Sequence, residues 1–185
     1  MRLRPAHLPN AISILRILLV LPIVLTLLAG DYLLALLLIC FAGASDGLDG
    51  LLARRFDWRS RLGGILDPLA DKLMVTALFL TLAWLGLSPA WLTAVVILRD
   101  AVIVAGALAY NSLVGEVQPE PTGLSKANTI LQLVYVLGVV SRQALGWPAA
   151  AWLLPLGAAV FFACVVSGLD YVLTWGARAR AAQRR

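Results

Sequence analysis

The chain is poor in the residues that carry most soluble catalysis. It has one histidine, His7, and two cysteines, Cys40 and Cys164, with no Cys-x-x-Cys pair and no cysteine–histidine cluster. A histidine triad or proton relay would rest on a single residue near the N-terminus, which argues against that chemistry. Both cysteines fall inside apolar segments and read as small core residues, not as a disulfide or a zinc site. Charge is scarce as well: 14% of the 185 residues are charged, against 61% hydrophobic. That balance excludes an ordinary soluble domain. Apolar runs of bilayer-spanning length take up almost the whole sequence and leave no room for a soluble catalytic module. The net charge is +5, but no aromatic-interleaved basic surface accompanies it, which argues against nucleic acid as a partner.

What is present is a set of six apolar segments. They predict helices over roughly 12–30, 32–56, 63–87, 89–113, 124–145 and 149–176. The first has no small-residue cleavage site and reads as a retained helix. The cations are asymmetric: Arg2, Arg4, Arg16, Arg54, Arg55, Arg59, Arg61, Lys72, Lys126, Arg178, Arg180, Arg184 and Arg185 fall at helix ends expected on one side. Arg142 alone belongs to the other side, and Arg99 lies mid-helix. The positive-inside rule then puts both termini and the 57–62 and 114–123 loops in the cytoplasm. The C-terminal arginines read as a solvated tail that fixes orientation and meets anionic headgroups. The expected fold is all-α: a single membrane domain over 1–185, six transmembrane helices, inserted as a multi-pass protein in the cell inner (cytoplasmic) membrane.

Within this apolar frame lie four aspartates, Asp46, Asp49, Asp67 and Asp71. A carboxylate near the bilayer is costly, so it marks a candidate functional site. On a helix, Asp46, Asp49, Gly50, Ala53 and Arg54 share one face, and so do Gly63, Asp67 and Asp71. The short 57–62 connection makes the second and third helices antiparallel neighbours, so the two faces meet in the cytoplasmic half of the membrane. The small residues at 50, 53 and 63 permit close approach of a helix or a ligand. Oxygen-only ligands favour hard cations such as Mg²⁺, Mn²⁺ or Ca²⁺. Four carboxylates carry charge that two divalent ions balance, and paired metals clamp both oxygens of an in-line phosphoryl displacement. Arg54 is placed to hold a phosphate oxygen with its planar fork. A carboxylate beside the metals could take the proton of an attacking hydroxyl. The competing reading is buried salt bridging of the aspartates with Arg54, Arg55 and Lys72.

The full pattern, D-x-x-D-G-x-x-A-R-x8-G-x-x-x-D-x-x-x-D, resembles the signature of the CDP-alcohol phosphatidyltransferases at every fixed position. Eight fixed residue types coincide by chance on the order of once in 10⁹–10¹⁰ placements. The resemblance extends to Pro9-Asn10 and Arg16, to Arg99-Asp100, and to Ser125-Lys126-Ala127-Asn128-Thr129 through Gln132. It implies a six-helix bundle, usually a homodimer, with a polar cavity open to the cytoplasm. Asp46, Asp49, Asp67 and Asp71 would hold two divalent cations, Mg²⁺ or Mn²⁺, with Asp71 as general base. Gly50, Ala53, Arg54 and Gly63 would line the site of the CDP-linked lipid, CDP-diacylglycerol by expectation. An acceptor hydroxyl would attack the lipid-side phosphorus and release CMP.

For the acceptor, Arg99, Lys126 and Asn128 are the candidates. Family members acting on glycerol 3-phosphate carry Arg-Glu in the fourth helix and Gly-Lys-x-Lys-Thr in the fifth. Here the second lysine is Asn128 and the glutamate is Asp100. A phosphodiester carries less charge than a phosphomonoester and needs fewer cations. The pattern therefore leans to phosphatidylglycerol as acceptor, as in the CMP-forming cardiolipin synthases, with glycerol 3-phosphate as the alternative. Arg99 and Asp100, as adjacent residues, are expected to point apart and not to form a simple pair. Lys126 also fits an interfacial anchor, Asn128, Thr129 and Gln132 also fit interhelical hydrogen bonding, and Asp170 reads as structural. The non-enzymatic alternative is a divalent-cation transporter. Against it, the carboxylates sit on one side only and no internal repeat is visible.

Overall fold

The structure is a computed structural model that describes residues 8–56, 63–113 and 123–182, and the side chains of 13–45, 70–106 and 123–174. Among the described residues there are six helices and no strand: α1 Leu8–Leu28, α2 Tyr32–Phe56, α3 Gly63–Trp84, α4 Ala90–Leu113, α5 Gly123–Leu145 and α6 Ala150–Ala182.

The helix ends follow local chemistry. α1 begins before Pro9, earlier than hydropathy suggests, because proline in a first turn gives up an N–H that has no helical partner anyway. α3 stops at Trp84, short of the expected 87. The Gly86 N–H donates to the Ala83 carbonyl and the Leu87 N–H to the Leu82 carbonyl, with Gly86 at φ +69°. This closure needs a left-handed residue, which glycine supplies without strain. Asp31 caps α2 by accepting the Leu34 N–H at 3.1 Å. α6 runs past the expected 176 to Ala182, through alternating alanines and arginines, which are strong helix formers.

The chain divides into two compact units. The first comprises Met1–Ser88 and Val136–Ala149, the second Pro89–Tyr135 and Ala150–Arg185. In the first unit α1 packs against both α2 and α3. Ser13, Arg16, Ile23 and Leu27 form the buried stripe of α1, and Ala35, Ile39 and Ala42 that of α2. On α3 the buried positions are Ala70, Met74, Leu78 and Leu82. The outward stripe of α1 is equally apolar: Ile14, Leu18, Leu21, Leu25 and Leu28 are all exposed. A helix apolar on every side except its charged exceptions suits hydrocarbon and not water.

In the second unit α4 packs on α6. Leu92, Val96, Val160 and Cys164 are buried there, and Trp91 meets Phe161 edge to face at 5.7 Å. Gly106 allows the Tyr171 ring to lie against α4, since a Cβ would sit 2.8 Å from Tyr171 Cε1. Among the described residues, Gly123–Leu145 and Ala150–Thr174 are long and apolar enough to cross a membrane.

Candidate active site

The four aspartates sit on the expected scaffold. Positions 46 and 49 lie on α2, and positions 67 and 71 on α3. Gly50, Ala53 and Arg54 continue along α2, and Gly63 opens α3. The side chains of Asp46, Asp49, Ala53, Arg54 and Asp67, and the 57–62 connection, lie outside the described residues. Among the described residues no group of three or more His, Cys, Asp or Glu gathers. Asp71 is the one member of the set whose side chain is described.

Asp71 is paired with Arg16, whose Nη1 donates to its Oδ1. The two partners differ sharply in environment: Arg16 is 1% exposed and Asp71 40%. Arg16 is buried because of its phase on α1. It lies seven residues before Ile23, on the stripe that faces α2 and α3. Asp71 continues the stripe of Met74, Val75 and Leu78 on α3, one turn nearer the start of that helix. A buried guanidinium needs an anion, and α3 supplies one. The sequence puts Arg16 among the end-of-helix cations; the structure puts it inside the first unit. Its seven-residue spacing from Ile23 is the signal that could have shown this.

The donor chemistry fits a hard divalent cation. It is all carboxylate, it comes two per helix at spacings that share a face, and the described carboxylate is held from the protein side with part of its surface open. Such a cation would be held by Asp46, Asp49, Asp67 and Asp71.

The second unit holds a separate polar cluster. Arg99, buried on α4, donates from Nη1 to Asp100 Oδ1 at 2.7 Å and from Nη2 to Ser125 Oγ at 2.9 Å and Ser167 Oγ at 2.6 Å. The expectation that Arg99 and Asp100 point apart is thus corrected. Their long and short side chains bend back into one ion pair, which the scarcity of other anions in this apolar unit favours. Asn128, fully buried on α5, accepts a hydrogen bond from Cys164 Sγ at 3.2 Å. Gln132 donates to the same sulfur at 3.4 Å. Ser125, Asn128 and Gln132 form one face of α5 at spacings of three and four, and Cys164 and Ser167 one face of α6. Arg99 and Asn128 therefore each bond to α6, Arg99 to Ser167 and Asn128 to Cys164, whereas Lys126 is exposed on another face of α5. Thr129 bonds within its own helix, to the Ser125 carbonyl. Cys164 is a core residue as expected; Cys40 is exposed on α2 and is not. The Asn128 Nδ2 is buried with no hydrogen-bond partner.

Residues 6–169 match the family model described as CDP-alcohol phosphatidyltransferase. A human protein named cardiolipin synthase (CMP-forming) is 30% identical over 183 residues, covering 90% of this chain and 61% of its own. A Streptomyces coelicolor protein of the same name is 35% identical over 64% of this chain and 59% of its own. A Bacillus subtilis protein named CDP-diacylglycerol–glycerol-3-phosphate 3-phosphatidyltransferase is 33% identical over 89% of this chain and 93% of its own. The chain thus spans about 61% of the length of the human relative, and nearly all of the Bacillus one. Signature, helix register and these likenesses agree: the chain belongs to the CDP-alcohol phosphatidyltransferase family.

Proposed function

We propose that this protein transfers the phosphatidyl group of CDP-diacylglycerol to the hydroxyl of a glycerol-type acceptor, releasing CMP, as a step of phospholipid biosynthesis. The observation that carries this is the unbroken signature laid out on two helices, with positions 46 and 49 on α2 and 67 and 71 on α3. We read the whole of 1–185 as one phosphatidyltransferase domain. We read the six apolar segments as membrane-spanning helices of the inner membrane, and the cation asymmetry as putting the termini and the site on the cytoplasmic side. A homodimer follows from the family resemblance.

In this reading Asp46, Asp49, Asp67 and Asp71 hold two divalent cations, Mg²⁺ or Mn²⁺. Bound there, the cations supply charge neutralisation at the diphosphate of the donor. Gly50, Ala53 and Gly63 leave space for the nucleotide and diphosphate, and the Arg54 fork holds a phosphate oxygen. Asp71 accepts the proton of the acceptor hydroxyl as its oxygen bonds to the lipid-side phosphorus. The phosphoanhydride bond breaks and its electron pair leaves with CMP.

Phosphatidylglycerol is the proposed acceptor, which would make the product cardiolipin. Asn128 supports this: it is a neutral, fully buried amide with a donor to spare where a glycerol-3-phosphate site carries a second lysine. Arg99 and Lys126 are the acceptor's other proposed contacts. Glycerol 3-phosphate is the second reading, supported by the nearly full-length likeness to the Bacillus protein. The test offers purified protein labelled CDP-diacylglycerol with phosphatidylglycerol, glycerol 3-phosphate, serine or inositol, and resolves the lipids by thin-layer chromatography. Cardiolipin as the main product is expected. Phosphatidylglycerophosphate alone would overturn the acceptor, and no CMP with any acceptor would revive the transporter alternative.

A further inference from the structure

We propose that Arg16 is the built-in counter-ion of the carboxylate site, competing with the divalent cation for Asp71 and setting how tightly that cation binds. The inference deepens the proposed function and rests on its metal reading. It starts from an asymmetry in one ion pair. The guanidinium of Arg16 is sealed inside the first unit, while the carboxylate it grips is 40% exposed. Asp71 is thus held from the inner side by a fixed positive charge and approached from the outer side by any cation.

Arg16 cannot move away from this contact easily. Its stem occupies the buried stripe of α1 with Ser13, Ile23 and Leu27, and α1 packs on both helices that carry the aspartates. The fixed charge therefore has two consequences. It keeps Asp71 oriented when no cation is present, and it repels a cation bound to the same carboxylate. Arg16 is accordingly a positioning residue: it acts on the reaction through Asp71. Loss of its charge should tighten metal binding while turnover falls, because the Arg16 contact that orients the carboxylate is gone.

The test is direct Mn²⁺ binding to the purified full-length protein in detergent, without lipid substrate, followed by the electron paramagnetic resonance signal of free Mn²⁺. Arg16→Gln is expected to lower the Mn²⁺ Kd on the order of tenfold. Arg16→Lys, which keeps the charge, is expected to stay near the wild-type Kd. If Arg16→Gln does not fold, Arg16→Met keeps the buried stem and carries the same test. Misfolding weakens binding, so tightening cannot arise from it. An unchanged or weaker Mn²⁺ Kd in the folded charge-free variant would overturn the proposal, as would equal tightening in Arg16→Lys. Absence of Mn²⁺ binding to the wild-type protein would instead overturn the metal reading on which it rests.

Discussion

Asp71→Asn is the obvious test of a general base, but in this protein it does two things at once. It removes the carboxylate, and it takes from the buried guanidinium of Arg16 the charged hydrogen bond it makes to Asp71. Losing a hydrogen bond to a charged, buried group costs about 1.5–3 kcal/mol, because the guanidinium stays desolvated. Arg16→Met is milder. The carboxylate left behind is 40% exposed and keeps water, and methionine refills the space of the arginine stem, so the loss is about 1 kcal/mol. The two changes together remove both charges and should be more stable than Asp71→Asn alone. For a chain of this size each kcal/mol moves the melting temperature by about 2–4 °C. Scanning fluorimetry of the protein in detergent, with divalent cations chelated, should thus show Asp71→Asn melting at least about 3 °C below wild type. The Arg16→Met/Asp71→Asn double variant should recover most of that loss. It should still not turn over, which separates the chemical role of Asp71 from its structural one. Wild-type stability of Asp71→Asn, or a double variant no better than the single, would refute the reasoning from the buried guanidinium.

Three further outcomes are expected. Thorough chelation should abolish CMP release and added Mg²⁺ or Mn²⁺ should restore it, while Asn at Asp46, Asp49 or Asp67 should slow turnover by orders of magnitude; full activity after chelation would end the two-metal reading. Arg54→Lys should lose most of its turnover, because a point charge does not reproduce a two-pronged grip on phosphate, and a wild-type rate would remove Arg54 from that role. Asn128→Lys should shift acceptor preference towards glycerol 3-phosphate, measured by product ratio. It should also lower the melting temperature, since the position is fully buried and the new ammonium must be desolvated.

Much of the fold is legible in the amino-acid sequence. The six helices lie where the apolar runs of the sequence put them. Their ends are less legible, because Gly86 closes α3 through a local hydrogen-bond motif and the arginine-rich end of α6 is helical for reasons of propensity and not of hydropathy. The polar residues of α5 illustrate the same limit. Ser125, Asn128 and Gln132 are plainly one helical face, but which helix they meet and through what atoms is not written in their spacing. The structure bonds Ser125 to Arg99, which also reaches Ser167, and joins Asn128 and Gln132 through Cys164. It also bends Arg99 onto its neighbour Asp100, against the expectation from adjacency, because an apolar interior offers few other anions.

The family, the four aspartates and the helices that carry them are all readable from the chain alone, since the signature is local and its spacing is that of an α-helix. The partner of Asp71 is a matter of tertiary packing. Arg16 is 55 residues away, and nothing in local spacing links the two. The link exists because α1 packs against α3 with its Arg16 face inward, and a charge sealed in that interface must meet an opposite one.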